Sequence, residues 1–206
     1  MRTWRKQGSG DAARICSNLE SYECQLIASM INSTTEILSE RAESAPRDEL
    51  SEMTGIVTGH TTAPGDVTLG RLLPDFHRPE QDEKLLVGTV SADLNGGLRS
   101  VHEPHIIDAK LTAARTVLET LPDGGGDVAL TCEEADRWLT ALNDVRLALG
   151  AMLGITDDPP VLAADDARAP HLDVYDWLTV VQELLVEALM GSECLDDDSA
   201  FGDGAS

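Results

Sequence analysis

The sequence predicts a mostly α-helical fold, an irregular bundle of about five to six helices with a short N-terminal β-hairpin. Three observations predict it. Aromatic residues make up only 3% of the chain and the apolar set is mainly Leu, Ala, Val and Ile, which packs helices better than it fills a β-sandwich. Apolar residues recur at three- and four-residue spacing through several long stretches with capping residues at their ends. At the start, RTWRK and ARICS flank a Gly-Ser-Gly turn, as two short strands do. The 206 residues suit one domain with a substantial core. Residues 1–191 are read as that domain, with the hairpin over 1–17, the helical body over 18–191 and an acidic flexible tail over 192–206.

Alternation puts Ala13 and Ile15 on one face of the second strand and Arg14 and Cys16 on the other. With Trp4 and Ile15 toward the core, Cys16 faces outward beside Arg14. From about Glu20, Leu26, Ile27, Met30, Ile31, Thr34, Ile37 and Leu38 mark a helix. Ser17 and Glu20 have capping-box spacing, Leu19 suits the staple position, and Cys24 falls at the margin of the apolar stripe, hence half-buried. Residues 42–66 read as loop with a short helical piece around DELSEM, after which Asp66 opens VTLGRLL and Pro74 ends it. A helix over about 81–100 is weakened by Gly88, Gly96 and Gly97, and Glu103-Pro104 starts a better one that carries Ile107, Leu111, Ala114, Val117 and Leu121. PDGGGD leads into VAL, a strand able to join the hairpin. Thr131 and Glu134 form a capping box for a helix ending at Gly154, and YDWLTVVQELLVEALM forms the last, closed by Gly191.

Thirty-seven acidic residues against fifteen Lys and Arg give a net charge of -22, so a nucleic-acid duplex is repelled by most of the surface. DNA is then met only indirectly, or through the basic patch of Arg2, Arg5, Lys6 and Arg14. No apolar h-region follows the N-terminal bases and no run is long enough to span a membrane, which predicts a cytoplasmic protein. There, four cysteines without a C-x-x-C pair predict no permanent disulfide framework and no zinc site. His102, Glu103 and His105 in HEPH read as a helix start rather than metal ligands, and GSG and GGG read as turns rather than phosphate cradles. With no nucleophile-base arrangement in view, neither an enzyme nor a cofactor is expected.

WLTALNDVRLALGAML at 138–153 and YDWLTVVQELLVEALM at 175–190, with LGRLLPDFHRP, EPHIIDAK and the basic-aromatic RTWRK, resemble an actinobacterial family, domain of unknown function 2017. The resemblance covers nearly the whole chain. For an oxidative-stress regulator of that family it implies a small, mostly helical cytosolic protein that forms an intramolecular disulfide under oxidation. It further implies contact with an extracytoplasmic-function sigma factor or RNA polymerase, raising expression of cysteine-biosynthesis genes.

A redox cysteine is accessible and flanked by positive charge or a helix N-terminus. Cys16, beside Arg14 and with Arg5 and Lys6 on the neighbouring strand, fits best, and Cys24 is its candidate partner across the turn into the helix. Cys132 sits at a helix N-terminus beside the opposing Glu133 and Glu134, and Cys194 lies among acids; these are the second choices. The residues leave open that all four thiols are structural, which leaves a non-redox helical adaptor as the alternative. Asn143, Asp144 and Arg146 are expected to fix helix-to-helix geometry, and Trp138 and Trp177 to lie in the core.

Overall fold

The alternation at the N-terminus becomes two strands, β1 (Arg5–Gln7) and β2 (Arg14–Leu19), in a computed structural model that describes residues 3–46, 58–77, 88–155 and 166–191, the side chains of 88–91 excepted. A 3-10 turn over Gly10–Ala12 joins them. The VAL segment lies in β3 (Gly126–Leu130), which pairs antiparallel with β2 to complete a sheet in the order β1-β2-β3. Ile15 pairs with Leu130 and Leu19 with Gly126, and this inner face buries Trp4, Ile15, Leu19, Val128 and Leu130 against the helices. Trp4 meets Trp138 edge to face with ring centroids 5.7 Å apart, and the fully buried Trp138 satisfies its indole N–H on Thr120 Oγ1 at 2.8 Å.

Five α-helices follow among the described residues. The first, α1 (Ser21–Glu43), begins later than the Ser17–Glu20 spacing suggests. Ser17 is held in the ladder opposite Val128, so its backbone cannot serve as a cap. Glu20 is the N-cap instead, and the Glu23 carboxylate accepts its backbone N–H at 2.9 Å. Strand β2 therefore runs to Leu19, and that residue packs in the sheet rather than as a staple. α2 (Val67–Leu72) is the short helix expected, capped by Asp66, whose carboxylate accepts the Leu69 N–H at 2.9 Å. The DELSEM segment lies outside the described residues.

α3 (Gly88–Thr120) is one continuous helix where the sequence predicts two. Pro104 sits inside it rather than opening a second helix. Proline lacks the N–H that would bond the Ser100 carbonyl one turn earlier, and here the N–H of Gly59 takes that carbonyl at 2.7 Å. The same loop approaches Gly96, where an added Cβ would lie 2.9 Å from the Thr61 carbonyl oxygen. The residues that looked like breaks are thus where another segment lies against the helix. A Cβ at Gly59 would come within 2.9 Å of the Pro104 ring. Gly59→Ala is therefore expected to cost about 1–3 kcal/mol in urea denaturation.

α4 (Cys132–Leu153) starts at the predicted box, with Thr131 Oγ1 accepting the Glu134 N–H at 3.1 Å, and ends at Gly154 with φ 69°. It is the hub, in contact with α1, α2, α3 and α5 (Ala169–Met190). The last helix begins six residues before YDWL because Pro170 is tolerated in its first turn. Trp177 is half-buried against the main core. A smaller cluster of Leu38, Leu72, Leu73, Ile107 and Ala148 closes the other end. Among the described residues no helix is long and apolar enough to cross a membrane.

Candidate functional site

Cys16 stands in the middle strand of the sheet, directly opposite Arg5 on β1 and Ala129 on β3. Since cross-strand partners point the same way and successive residues alternate, Cys16, Arg5 and Arg14 share the outer face. A shallow groove of about 730 Å³ runs over this face, lined by Thr3, Arg5, Gln7, Cys16, Asn18 and Asp127 among others. Asn18 donates to Asp127 at 2.7 Å along its floor. The Arg14 guanidinium turns back to the carbonyls of Ala13 at 2.8 Å and Asp11 at 3.2 Å. Lys6 pairs with Ile15 and so belongs to the opposite face. The basic patch is split by the pleat, and Arg2 lies outside the described residues.

Cys24 is in a different environment. It sits in the first turns of α1, 4% exposed, within the main core cluster. The helical stripe made it half-buried, but the Gly124–Gly126 loop closes over it from outside the helix. Burial, then the neighbouring Glu23 carboxylate, push the Cys24 thiol above its ordinary range, against a weaker lowering from the Gly125 backbone N–H bonded to it. Cys16 on the outer face and Cys24 in the inner core thus lie on opposite sides of the sheet, and both are free thiols, as is Cys132. Cys132 is half-buried at the first position of α4. Its acidic neighbours are both engaged, Glu134 on the Thr131 N–H at 2.7 Å and Glu133 with Arg137 at 2.6 Å. Cys194 and the acidic tail lie outside the described residues.

The HEPH cluster lies mid-helix. Glu103, 1% exposed, is clamped by Arg99 at 2.6 Å and Arg41 at 2.8 Å. Arg99 also reaches Asp75 at 2.9 Å and the Leu73 carbonyl at 3.1 Å. The acid that a metal would need is thus neutralised by two guanidinium groups, and among the described residues no group of three or more His, Cys, Asp or Glu is placed to hold a metal ion. Neither this network nor the cover over Cys24 was foreseen from the sequence. Arg99 stands one turn before Glu103 on the same helix, but Arg41 lies 62 residues away, and GGG reads equally well as an unoccupied turn.

The family model for a domain of unknown function, DUF2017, matches residues 1–189. The chain belongs to the DUF2017 family. Two relatives named oxidative stress regulator AosR, from Mycobacterium tuberculosis (strain ATCC 25618 / H37Rv) and Mycobacterium bovis (strain ATCC BAA-935 / AF2122/97), are each 46% identical over 195 residues, spanning 93% of this chain and 89% of theirs. A Mycobacterium leprae homologue is 42% identical over 93% of this chain and 90% of its own. No solved structure matches.

The two stretches that carried the DUF2017 resemblance are α4 and α5, and their polar residues tie helices together as expected. Asp144 on α4 pairs with Lys110 on α3. Arg146 donates to Gln182 of α5 at 2.9 Å and lies over the Tyr175 ring at 5.9 Å. Burial raises the Asp144 carboxyl above its ordinary range, outweighing the hydrogen bond and charge of Lys110. A raised carboxyl holds its proton more tightly folded than unfolded. Its contribution to stability is full below about pH 4 and is lost as pH rises through the raised value. In urea midpoints measured across pH, Asp144→Asn is expected to remove that downward slope.

Proposed function

We propose that this DUF2017 protein is a cytoplasmic, redox-responsive regulator of the oxidative stress response that acts by protein contact, without catalysis. In this reading it senses oxidation through an intramolecular disulfide. The oxidised form engages an extracytoplasmic-function sigma factor or RNA polymerase and raises cysteine-biosynthesis gene expression. The names of the mycobacterial relatives support the regulatory role. The observation that carries the redox part is the position of Cys16, on an open face with Arg5 beside it in register. Hydrogen peroxide oxidises Cys16 to a sulfenic acid with release of water, and a second thiol then displaces a second water to form the disulfide. Two thiols give up two electrons and the peroxide becomes two waters.

Cys24 is the proposed second thiol, with Cys132 and Cys194 as second choices. Because Cys16 and Cys24 occupy opposite sides of the sheet, a bond between them requires β2 to leave its pairing with β1 and β3. Oxidation would thereby change the surface that a partner meets. The net charge of -22 favours a basic protein surface as partner over a promoter duplex. Non-reducing peptide mapping after mild peroxide is expected to find Cys16 in a bridged peptide, and Cys16→Ser to abolish oxidant-dependent sigma-factor binding. Oxidant dependence that survives in Cys16→Ser/Cys24→Ser would sink this choice of residues. Tight binding of promoter duplex at physiological salt would remove the protein-contact part.

The burial and raised thiol of Cys24 favour a second reading, a non-redox helical adaptor with constitutive binding. Under it, both serine variants bind the same partner with unchanged affinity in reduced and oxidised conditions.

A further inference from the structure

Helices α4 and α5 run antiparallel, as the approach of Gly150 to Tyr175 and of Arg146 to Gln182 requires. Between them lies an open groove of about 560 Å³. Its apolar line is Leu139 from α4 and Val186 from α5, and Met190, one turn beyond Val186 and 70% exposed, prolongs it. Glu183 and Glu187 stand exposed on the α5 side, and Asp136 is exposed one turn before Leu139 on α4. Arg146 and Gln182, the convergent polar groups of the groove, are bonded to each other. They leave a small ligand little to bind.

We infer that the α4–α5 groove docks a basic amphipathic helix of a partner protein. The apolar stripe of that helix lies on Leu139, Val186 and Met190, and its Lys or Arg residues face Glu183, Glu187 and Asp136. The surface is an apolar line bordered by acids on a chain of net charge -22, so an acidic or neutral helix gains nothing from its rim, whereas a basic one is both steered and held. The inference deepens the protein-contact reading above and rests on it. It also absorbs the two family motifs, whose inward residues build the core while the outward ones line this groove.

The test measures binding of a synthetic amphipathic Leu/Lys helix to the full chain by fluorescence anisotropy, with a Leu/Glu helix as counterpart. Glu183→Lys/Glu187→Lys is expected to weaken binding of the Leu/Lys helix about tenfold or more. Asp108→Lys/Asp173→Lys makes the same charge change at exposed positions outside the groove, and is expected to leave the affinity within about twofold. Val186→Asp makes the chain more acidic yet is expected to weaken binding. Equal weakening by the two lysine pairs, or tighter binding by Val186→Asp, would overturn the groove. A purified extracytoplasmic-function sigma factor as second probe, added to the peroxide-oxidised chain and its oxidised variants, separates this inference from the reading it rests on. If the sigma factor binds wild type and all variants alike, the groove fails and the protein-contact reading stands. If it binds none while the peptide docks as expected, that partner fails and the groove stands.

Discussion

Glu103→Ala is expected to lower stability by about 3–5 kcal/mol in urea denaturation. The carboxylate is 1% exposed and lies between Arg99, also 1% exposed, and Arg41. Its removal leaves a guanidinium inside the protein with the Leu73 and Pro74 carbonyls and the half-exposed Asp75 for company. A buried cation left with a half-exposed carboxylate as its one remaining charged partner costs more than a lost surface pair. Glu103→Gln, which keeps an acceptor oxygen, is expected to lose less. Replacing both Arg99 and Glu103 with apolar residues of similar size is expected to cost less than the two single changes added together. A loss below about 1 kcal/mol for Glu103→Ala would place the cluster with solvated ion pairs.

Gly125→Ala is expected to cost about 2–4 kcal/mol, combining backbone strain with overpacking. Gly125 has φ 93°, and a Cβ there would lie 2.6 Å from the Ser21 nitrogen and 3.0 Å from the Glu20 carbonyl carbon. Gly124, at φ 75°, has nothing within 4 Å of its added Cβ. Gly124→Ala therefore isolates the conformational share, about 1–2 kcal/mol. Because the Gly125 N–H reaches the Cys24 sulfur, the larger defect should also appear as faster maleimide labelling of Cys24, with Gly124→Ala much closer to wild type.

What can be read from the sequence depends on how far along the chain a residue's partners lie. Strand alternation placed Trp4 and Ile15 inward and Cys16 outward, because a period of two is fixed by the backbone alone. The Thr131–Glu134 box, the Gly154 cap and the core role of Trp138 were legible for the same reason: each depends on residues within a few positions of itself. Glu103 and Cys24 were not. Arg99 is one turn from Glu103, but Arg41, the second clamp, and Gly125, beside Cys24, are brought in by the packing of α1, α3 and the β3 loop. Pro104 was misread because the partner for the Ser100 carbonyl lies 41 residues earlier in the chain, beyond the reach of any local pattern. The family was legible through helix motifs, which identify the scaffold more firmly than they identify the thiols.

That mended carbonyl carries a further consequence. The bond from Gly59 to Ser100 makes the middle of α3 incomplete until a segment from outside the helix has docked. The helix is therefore not a freestanding rod that others assemble around. Its central turns and the Gly59 loop form one cooperative unit, and opening either exposes the other to solvent exchange.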